Sequence, residues 1–257
     1  MILTLKSHDE LLACRAELNA RNLDFSLPGR TRLWRLLYQA RFRAPLLPAD
    51  VQKSWDVAHA VKIIEASAPD RETPVLDMGC FNSEVVYALH ALGYRRVHGC
   101  DLNPLCRWLP YWNSIRYACA DLTRTPYPDQ SFGVLTCLSV IEHGVPIDAL
   151  IAEADRLLRP GGVFLLTTDF DATGAPHEID PRFKVFGQSW RIFTPDSLDE
   201  VLDRFRRRGF ELLDPSRVDR THTDRPVHWQ GQEYTFTLVA LRKSGGRNGS
   251  APGQPPA

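Results

Sequence analysis

Pro74-Val75-Leu76-Asp77-Met78-Gly79-Cys80-Phe81-Asn82-Ser83-Glu84 is the stretch that decides how this chain folds. Val75–Met78 reads as a buried strand carrying one acid near its end. Gly79 interrupts it, and a helical pattern opens at Ser83. A strand, a tight turn and a helix in that order leave free backbone N–H groups at the strand's carboxyl end. The following helix adds the positive end of its dipole. In an α/β protein such a turn seats a cofactor.

The sequence on either side extends the pattern. Downstream, Arg96–Cys100, Ile115–Ala120, Phe132–Leu138 and Val163–Thr168 read as strands. Ser83–Leu92, a short helix capped by Asn103-Pro104, and Pro146–Leu158 lie between them, with Arg159-Pro160-Gly161-Gly162 as a sharp turn. This alternation predicts a doubly wound, mostly parallel sheet. Upstream, Ser7-His8-Asp9-Glu10 has the form of a capping box, and helices are expected to about Leu23, over 30–43 and over 54–68. They form an expected N-terminal helical cap, 1–70, before a main domain at 71–243. Residues 169–193 have no clear period and are long for a connection, as lids and binding loops are. Thr194-Pro195 opens another helix, which ends in Arg206-Arg207-Arg208-Gly209. Phe210–Val218 and Glu233–Lys243 read as closing strands, and 244–257 as a disordered tail.

Composition narrows the function. The chain has 257 residues, 44% hydrophobic and 24% charged, which provides ample core material. Lys plus Arg equals Asp plus Glu at 31 each, so the broad basic footprint of a general nucleic-acid binder is missing. No apolar run reaches membrane-spanning length and no secretory leader is evident. None of the six cysteines forms a CxxC pair, and no His stands at zinc-ligand spacing, so no metal site is expected. Reduced thiols and a cytoplasmic location are the expectation.

Asp77, Asp101 and Asp121 end three successive strands, about one β-α unit apart. In a parallel sheet such acids gather along one edge, in the crevice where ligands bind. The second is placed to accept from ribose hydroxyls and the third from an exocyclic amine. Val75–Cys80, Val97–Pro104, Ala120–Leu122 with Pro126–Phe132, Ser139–His143 and Arg156–Gly162 follow one another at suitable spacings. In this order they resemble the motifs of the class I S-adenosylmethionine-dependent methyltransferases of the small-molecule kind. The resemblance implies a Rossmann-like methyltransferase fold, a seven-stranded sheet whose last strand is antiparallel. It implies S-adenosyl-L-methionine as cofactor, with Asp77, Gly79, Phe81 and Asn82 around its methionine part, Asp101 at the ribose, Leu102, Asp121 and Leu122 at the adenine, and Ser139 near the sulfonium.

The motif departs from the family at Phe81 and Ser83, where members commonly carry glycine. A degenerate, partner-binding protein is therefore one alternative. A nucleotide-dependent oxidoreductase is another, although only Gly79 fits a G-x-G-x-x-G fingerprint. The sulfonium is already a good leaving group, so a base is needed only for a protic acceptor. His143 and then Glu142 are the candidates, and hydrogen bonding within the turn is their structural reading. The polar and aromatic residues of 169–193 suit a small-molecule or saccharide-like acceptor. The basic helix at 30–43 has three readings: a solvated helix, a helix that binds an anionic acceptor or lids the cofactor, and a peripheral membrane contact.

Overall fold

The computed structural model describes residues 1–23, 51–81, 83–109, 111, 113–175, 177, 179–185 and 187–245. Asn82, the basic helix at 30–43 and the tail beyond residue 245 lie outside the described residues.

The strands are β1 (Ile2–Thr4), β2 (Val75–Met78), β3 (Val97–Asp101), β4 (Arg116–Cys119), β5 (Phe132–Leu138) and β6 (Leu158–Phe170), then β7 (Lys184–Val185), β8 (Gln188–Ser189), β9 (Phe210–Leu212), β10 (Val227–Trp229) and β11 (Gln232–Lys243). The helices are α1 (His8–Ala20), α2 (Ser54–Ser67), α3 (Val85–Ala91), α4 (Ile147–Leu157) and α5 (Pro195–Arg207). The main sheet runs in the order β1-β11-β6-β5-β2-β3-β4, with β9 and β10 also paired to β11. From β6 to β4 every pairing is parallel, and β11 runs antiparallel to β6. The sheet is thus Rossmann-like and mostly parallel, and the strand order reverses between β5 and β2.

Parallel strands buried on both faces need continuous apolar runs, and β2 is buried at all four positions. Two helical layers cover the faces. Leu11 and Leu18 of α1, Trp55, Val61 and Ile64 of α2 and Val85, Val86 and Leu89 of α3 belong to one core cluster. Leu150, Ile151, Ala154 and Leu157 of α4 share the second with Leu198, Val201, Leu202 and Phe205 of α5. The α5 positions fall at helical spacing on one stripe, each burial contributing roughly 1.5–3 kcal/mol. Thr194 and Ser197 close a reciprocal capping box at its start. None of the described helices is long and apolar enough to cross a membrane.

The ends of the chain differ from the expectation. Residues 1–70 do not open as helix: Ile2–Thr4 is a sheet strand, paired with Thr237–Val239 of β11. The expected strand Phe210–Val218 shrinks to three residues. One edge of β11 is long enough to be shared among β10, β1 and β9 in turn, so the N-terminus occupies the place a simple closing hairpin would fill. The Arg159–Gly162 turn is instead a bulge inside β6, where Phe132 pairs with Leu158 and Val134 with Val163.

Candidate functional site

Asp77 is the third residue of β2, Asp101 ends β3 and Asp121 follows β4, and because these strands lie side by side all three stand near one edge of the sheet. Asp77 is 1% exposed. Its Oδ1 accepts from the Thr136 hydroxyl on β5 at 2.6 Å, and its buried Oδ2 makes no well-formed hydrogen bond, the nearby Ser83 hydroxyl only easing the cost of the charge. Burial raises its carboxyl to about 6. Asp101 is fixed by two main-chain donors: Phe81 N reaches Oδ2 at 3.0 Å and Asn103 N reaches Oδ1 at 2.8 Å. Burial nonetheless pushes it up.

The turn between them admits only glycine at position 79. Gly79 has φ +94°, and a Cβ there would stand 2.4 Å from Val140 Cγ2. Phe81 and Ser83 do not need that freedom, because neither has a positive φ. The Phe81 ring packs into the core while its backbone N–H serves Asp101. Ser83 Oγ accepts from Val85 N at 3.3 Å at the start of α3. The departures from the glycine pattern are thus accommodated by core packing and helix capping.

Leu102 and Leu122 occupy different environments. Leu102 is 60% exposed beside Asp101, an open apolar platform. Leu122 is 7% exposed, with its side chain in the core. Asp121 is exposed and accepts from Thr123 N and Oγ1 at 2.8 and 2.7 Å, a local turn that leaves it on the rim.

A second cluster stands at the carboxyl ends of β5 and β6. Ser139, with φ +52°, follows β5 and is held by Thr167, whose carbonyl and hydroxyl oxygens accept from its N–H at 3.1 and 2.9 Å. Glu142 is buried and its Oε2 accepts from the Thr168 hydroxyl at 3.1 Å. Burial and the neighbouring Asp169 push the Glu142 carboxyl well up. Asp169 Oδ2 accepts from Trp190 Nε1 at 2.7 Å, and burial raises that carboxyl to about 6. His143 goes the other way: burial and the Lys53 cation lower it to about 4. The ring is therefore neutral near pH 7, and its buried Nδ1 has no partner. Trp229 lies edge-on to His143 at 6.4 Å, and Trp190 and Phe183 pack on Trp229 at 4.8 and 5.2 Å.

Residues 169–193 leave β6 and return beside it. Asp171 N donates to Phe193 O at 2.8 Å, and Phe193 N to Asp169 O at 2.9 Å. Arg191 N donates to the Glu142 carbonyl at 3.0 Å. The buried Asp171 pins the segment, pairing with His177 at 2.9 Å, Arg225 at 3.0 Å and His222 at 3.2 Å. Burial raises its carboxyl, but the hydrogen bonds from Thr173, His222 and His177 prevail and hold it at about 2. Asp169 and Trp190 turn inward, whereas Arg182 and Lys184 are exposed. Glu178 lies outside the described residues.

The sequence reading missed Lys53, Asp56 and Thr167. Asp56 Oδ2 accepts from Ser139 Oγ at 2.9 Å and from Thr167 Oγ1 at 3.1 Å. A signal was present, since Asp56 sits among the apolar positions of α2 where a helix facing the core should carry none. The donor set fits S-adenosylmethionine. A buried, unpartnered Asp77 oxygen suits the cofactor's ammonium, the Gly79 turn leaves room for its chain, and Asp101 and Leu102 offer an acid and an apolar face to the nucleoside.

The comparisons agree with this geometry. A family description, "methyltransferase domain", matches residues 76–166. The chain is 28% identical over 207 residues to a malonyl-[acyl-carrier protein] O-methyltransferase of Halorhodospira halophila, covering 76% of this chain and 66% of that protein. It is 26% identical over 177 residues to a cycloartenol-C-24-methyltransferase of Arabidopsis thaliana, covering 60% and 48%. The chain thus spans between about half and two thirds of the length of these relatives. A solved Burkholderia thailandensis 1,6-didemethyltoxoflavin-N1-methyltransferase, with 1,6-didemethyltoxoflavin and S-adenosylhomocysteine bound, superposes with a TM-score of 0.51. It shares 21% identity and covers 93% of this chain and 92% of its own. The [4+2]-cyclase SpnF shares the fold with a TM-score of 0.54 at 18% identity, covering 77% and 85%. Motif order, sheet topology and the matched domain together make residues 76–166 similar to the class I S-adenosylmethionine-dependent methyltransferases.

Proposed function

We propose that this protein transfers the methyl group of S-adenosylmethionine to a small-molecule, saccharide-like acceptor, in line and in a site closed by residues 169–193. The observation that carries the reading is the buried Asp77 oxygen without a partner beside the Gly79 turn. A buried carboxylate that Thr136 satisfies at one oxygen only is costly to keep charged unless a ligand completes the other. When bound, the cofactor supplies an electrophilic methyl on a good leaving group. The protein's own residues align the acceptor and exclude water.

On the acceptor side, His143 is proposed to accept a hydrogen bond from an acceptor hydroxyl at Nδ1 and to take its proton as the new bond forms. Glu142 acts through position, its carbonyl tied to Arg191 and its carboxyl to Thr168. Phe183 and Trp229, backed by the buried Trp190, offer apolar faces on which a sugar-like ring can stack. Six free cysteines support a reducing, cytoplasmic setting.

Calorimetric titration of the full chain with S-adenosylhomocysteine tests the cofactor half. Micromolar binding that drops about tenfold or more in Asp101→Ala is the expected result. Absence of heat and of thermal shift would leave the partner-binding alternative standing. NADH binding in its place would favour the oxidoreductase. For the acceptor half, transfer of a labelled methyl to panels of hydroxylated and non-hydroxylated small molecules should select hydroxyl-bearing compounds and fail in His143→Ala.

A further inference from the structure

Lys53 and Asp56 form a charge pair at the cofactor turn that neither the motifs nor the acceptor reading uses. Lys53 Nζ donates to Ser139 Oγ at 2.6 Å, stands 4.0 Å from Asp56 Oδ2 and lies 4.2 Å above the Phe236 ring. Asp56 is 1% exposed, and its Oδ1 is buried with no hydrogen-bond partner. The pair abuts the cofactor turn directly: Ser139 precedes Val140, the residue that closes on Gly79. The Lys53 charge also reaches Glu142, Asp169 and His143.

We infer that Lys53 and Asp56 set the preference of this site between the cationic cofactor and its neutral product. The inference rests on the cofactor reading above, which puts the sulfonium near Ser139. In methyl transfer the C–S bond breaks with its electron pair left on sulfur. The cofactor thereby turns from a sulfonium cation into a thioether, while its amino-acid and nucleoside parts stay the same. The change of charge falls beside a buried carboxylate and a half-exposed ammonium. Asp56 attracts the sulfonium and has no such hold on the thioether. Lys53 already neutralises Asp56 and opposes a second cation, so the sulfonium must share or displace it. After transfer the Lys53–Asp56 attraction is restored in full, which favours release of the product over its retention.

The opposing signs make the inference testable without the acceptor. Unit charges several ångströms apart at an effective dielectric near 20 interact by a few kcal/mol before screening, so changes of about fivefold to tenfold are expected. Full-length wild type, Lys53→Met and Asp56→Asn are titrated with S-adenosylmethionine and with S-adenosylhomocysteine. Lys53→Met should raise affinity for the sulfonium about fivefold to tenfold relative to the thioether. Asp56→Asn should lower it by a similar factor. Lys53 is partly exposed, so its variant keeps the fold and decides the matter alone if Asp56→Asn does not fold. Both affinities moving together, or a ratio within twofold of wild type in Lys53→Met, would overturn the inference and leave the pair a structural one. Failure of wild type to bind either ligand would instead sink the cofactor reading.

Discussion

The two halves of the sheet edge are built in different ways. On the β2–β3–β4 side, two of the three acids are oriented by neighbours a few residues away or on the adjacent turn, Asp101 by Asn103 and Phe81 and Asp121 by Thr123, while Asp77 reaches across to Thr136 on β5. On the β5–β6 side the groups are held by residues far apart in sequence. Asp56 of α2 meets Ser139 and Thr167, and Glu142 meets Thr168 and Arg191. The first half is mainly a local device, used at Asp101 and again at Asp121. The second is a tertiary one that exists only once the N-terminal helices and the 169–193 segment have docked. A fold that keeps the first and varies the second can hold one cofactor and change its acceptor.

The turn at Gly79 is where this contrast is easiest to break. Gly79→Ala forces a side chain into positive φ and against Val140. Strain and overpacking together should cost about 2–5 kcal/mol of stability. Affinity for S-adenosylhomocysteine should fall at least tenfold, read by thermal unfolding and calorimetry. If Gly79→Ala binds like wild type, the local turn is not the cofactor's cradle.

Asp77 gives the next largest effect, with a sign opposite to that of a salt-bridged acid. Its folded value of about 6 lies above the ordinary 3.8. The folded state therefore binds this proton more tightly than the unfolded chain does. The resulting destabilisation is fully present above about pH 6 and disappears as pH falls toward 3.8. Asp77→Asn should make the protein more stable than wild type at pH 8, by an amount on the order of 1–3 kcal/mol, and equal to it near pH 4. The same variant should bind S-adenosylhomocysteine about tenfold more weakly at pH 8, and should lose the decline in affinity that wild type shows as pH drops through 6. Melting curves and titrations across pH 4–8 check both halves. A variant less stable than wild type at pH 8 would mean that Asp77 is structural.

The difference in construction also explains what the sequence could reveal. Strand ends, Gly79, the Asn103-Pro104 cap and the stripe of α5 follow from local rules: period, φ and capping. The parallel order β5-β2-β3-β4 follows from their succession. The misplaced acid Asp56 was visible on the apolar face of α2, but nothing near it or Lys53 in sequence marks them as neighbours of Ser139. Only the docking of α2 on the sheet brings them there. The strand Ile2–Thr4 was missed for a similar reason: three residues carry no period, and its pairing partner lies at the other end of the chain. The closing strand at Phe210 was overextended because an apolar run looks the same whether it pairs for three residues or nine. Phe81 shows the converse. A position that stands out by motif turns out to be a core one, its ring packed inside and its N–H on Asp101.

The smallest expected effect is the sharpest discriminator within the cofactor side. The family resemblance assigns both Leu102 and Leu122 to the adenine, but their environments differ: 60% exposed against 7%. An exposed leucine contributes little to folding, so Leu102→Ala should change stability by less than about 0.5 kcal/mol. If its side chain covers a face of the adenine, that variant should still lose about 1 kcal/mol of binding, roughly fivefold in affinity for S-adenosylhomocysteine. Leu122→Ala opens a core cavity and should cost about 2–4 kcal/mol of stability. Its effect on affinity should be smaller than that of Leu102→Ala, because a core side chain reaches the ligand only through its backbone. Chemical denaturation alongside calorimetry measures both. The reverse pattern, with stability lost at Leu102 and affinity lost at Leu122, would move the adenine from the rim beside Asp101 toward the loop after β4, and would relocate the nucleoside half of the site.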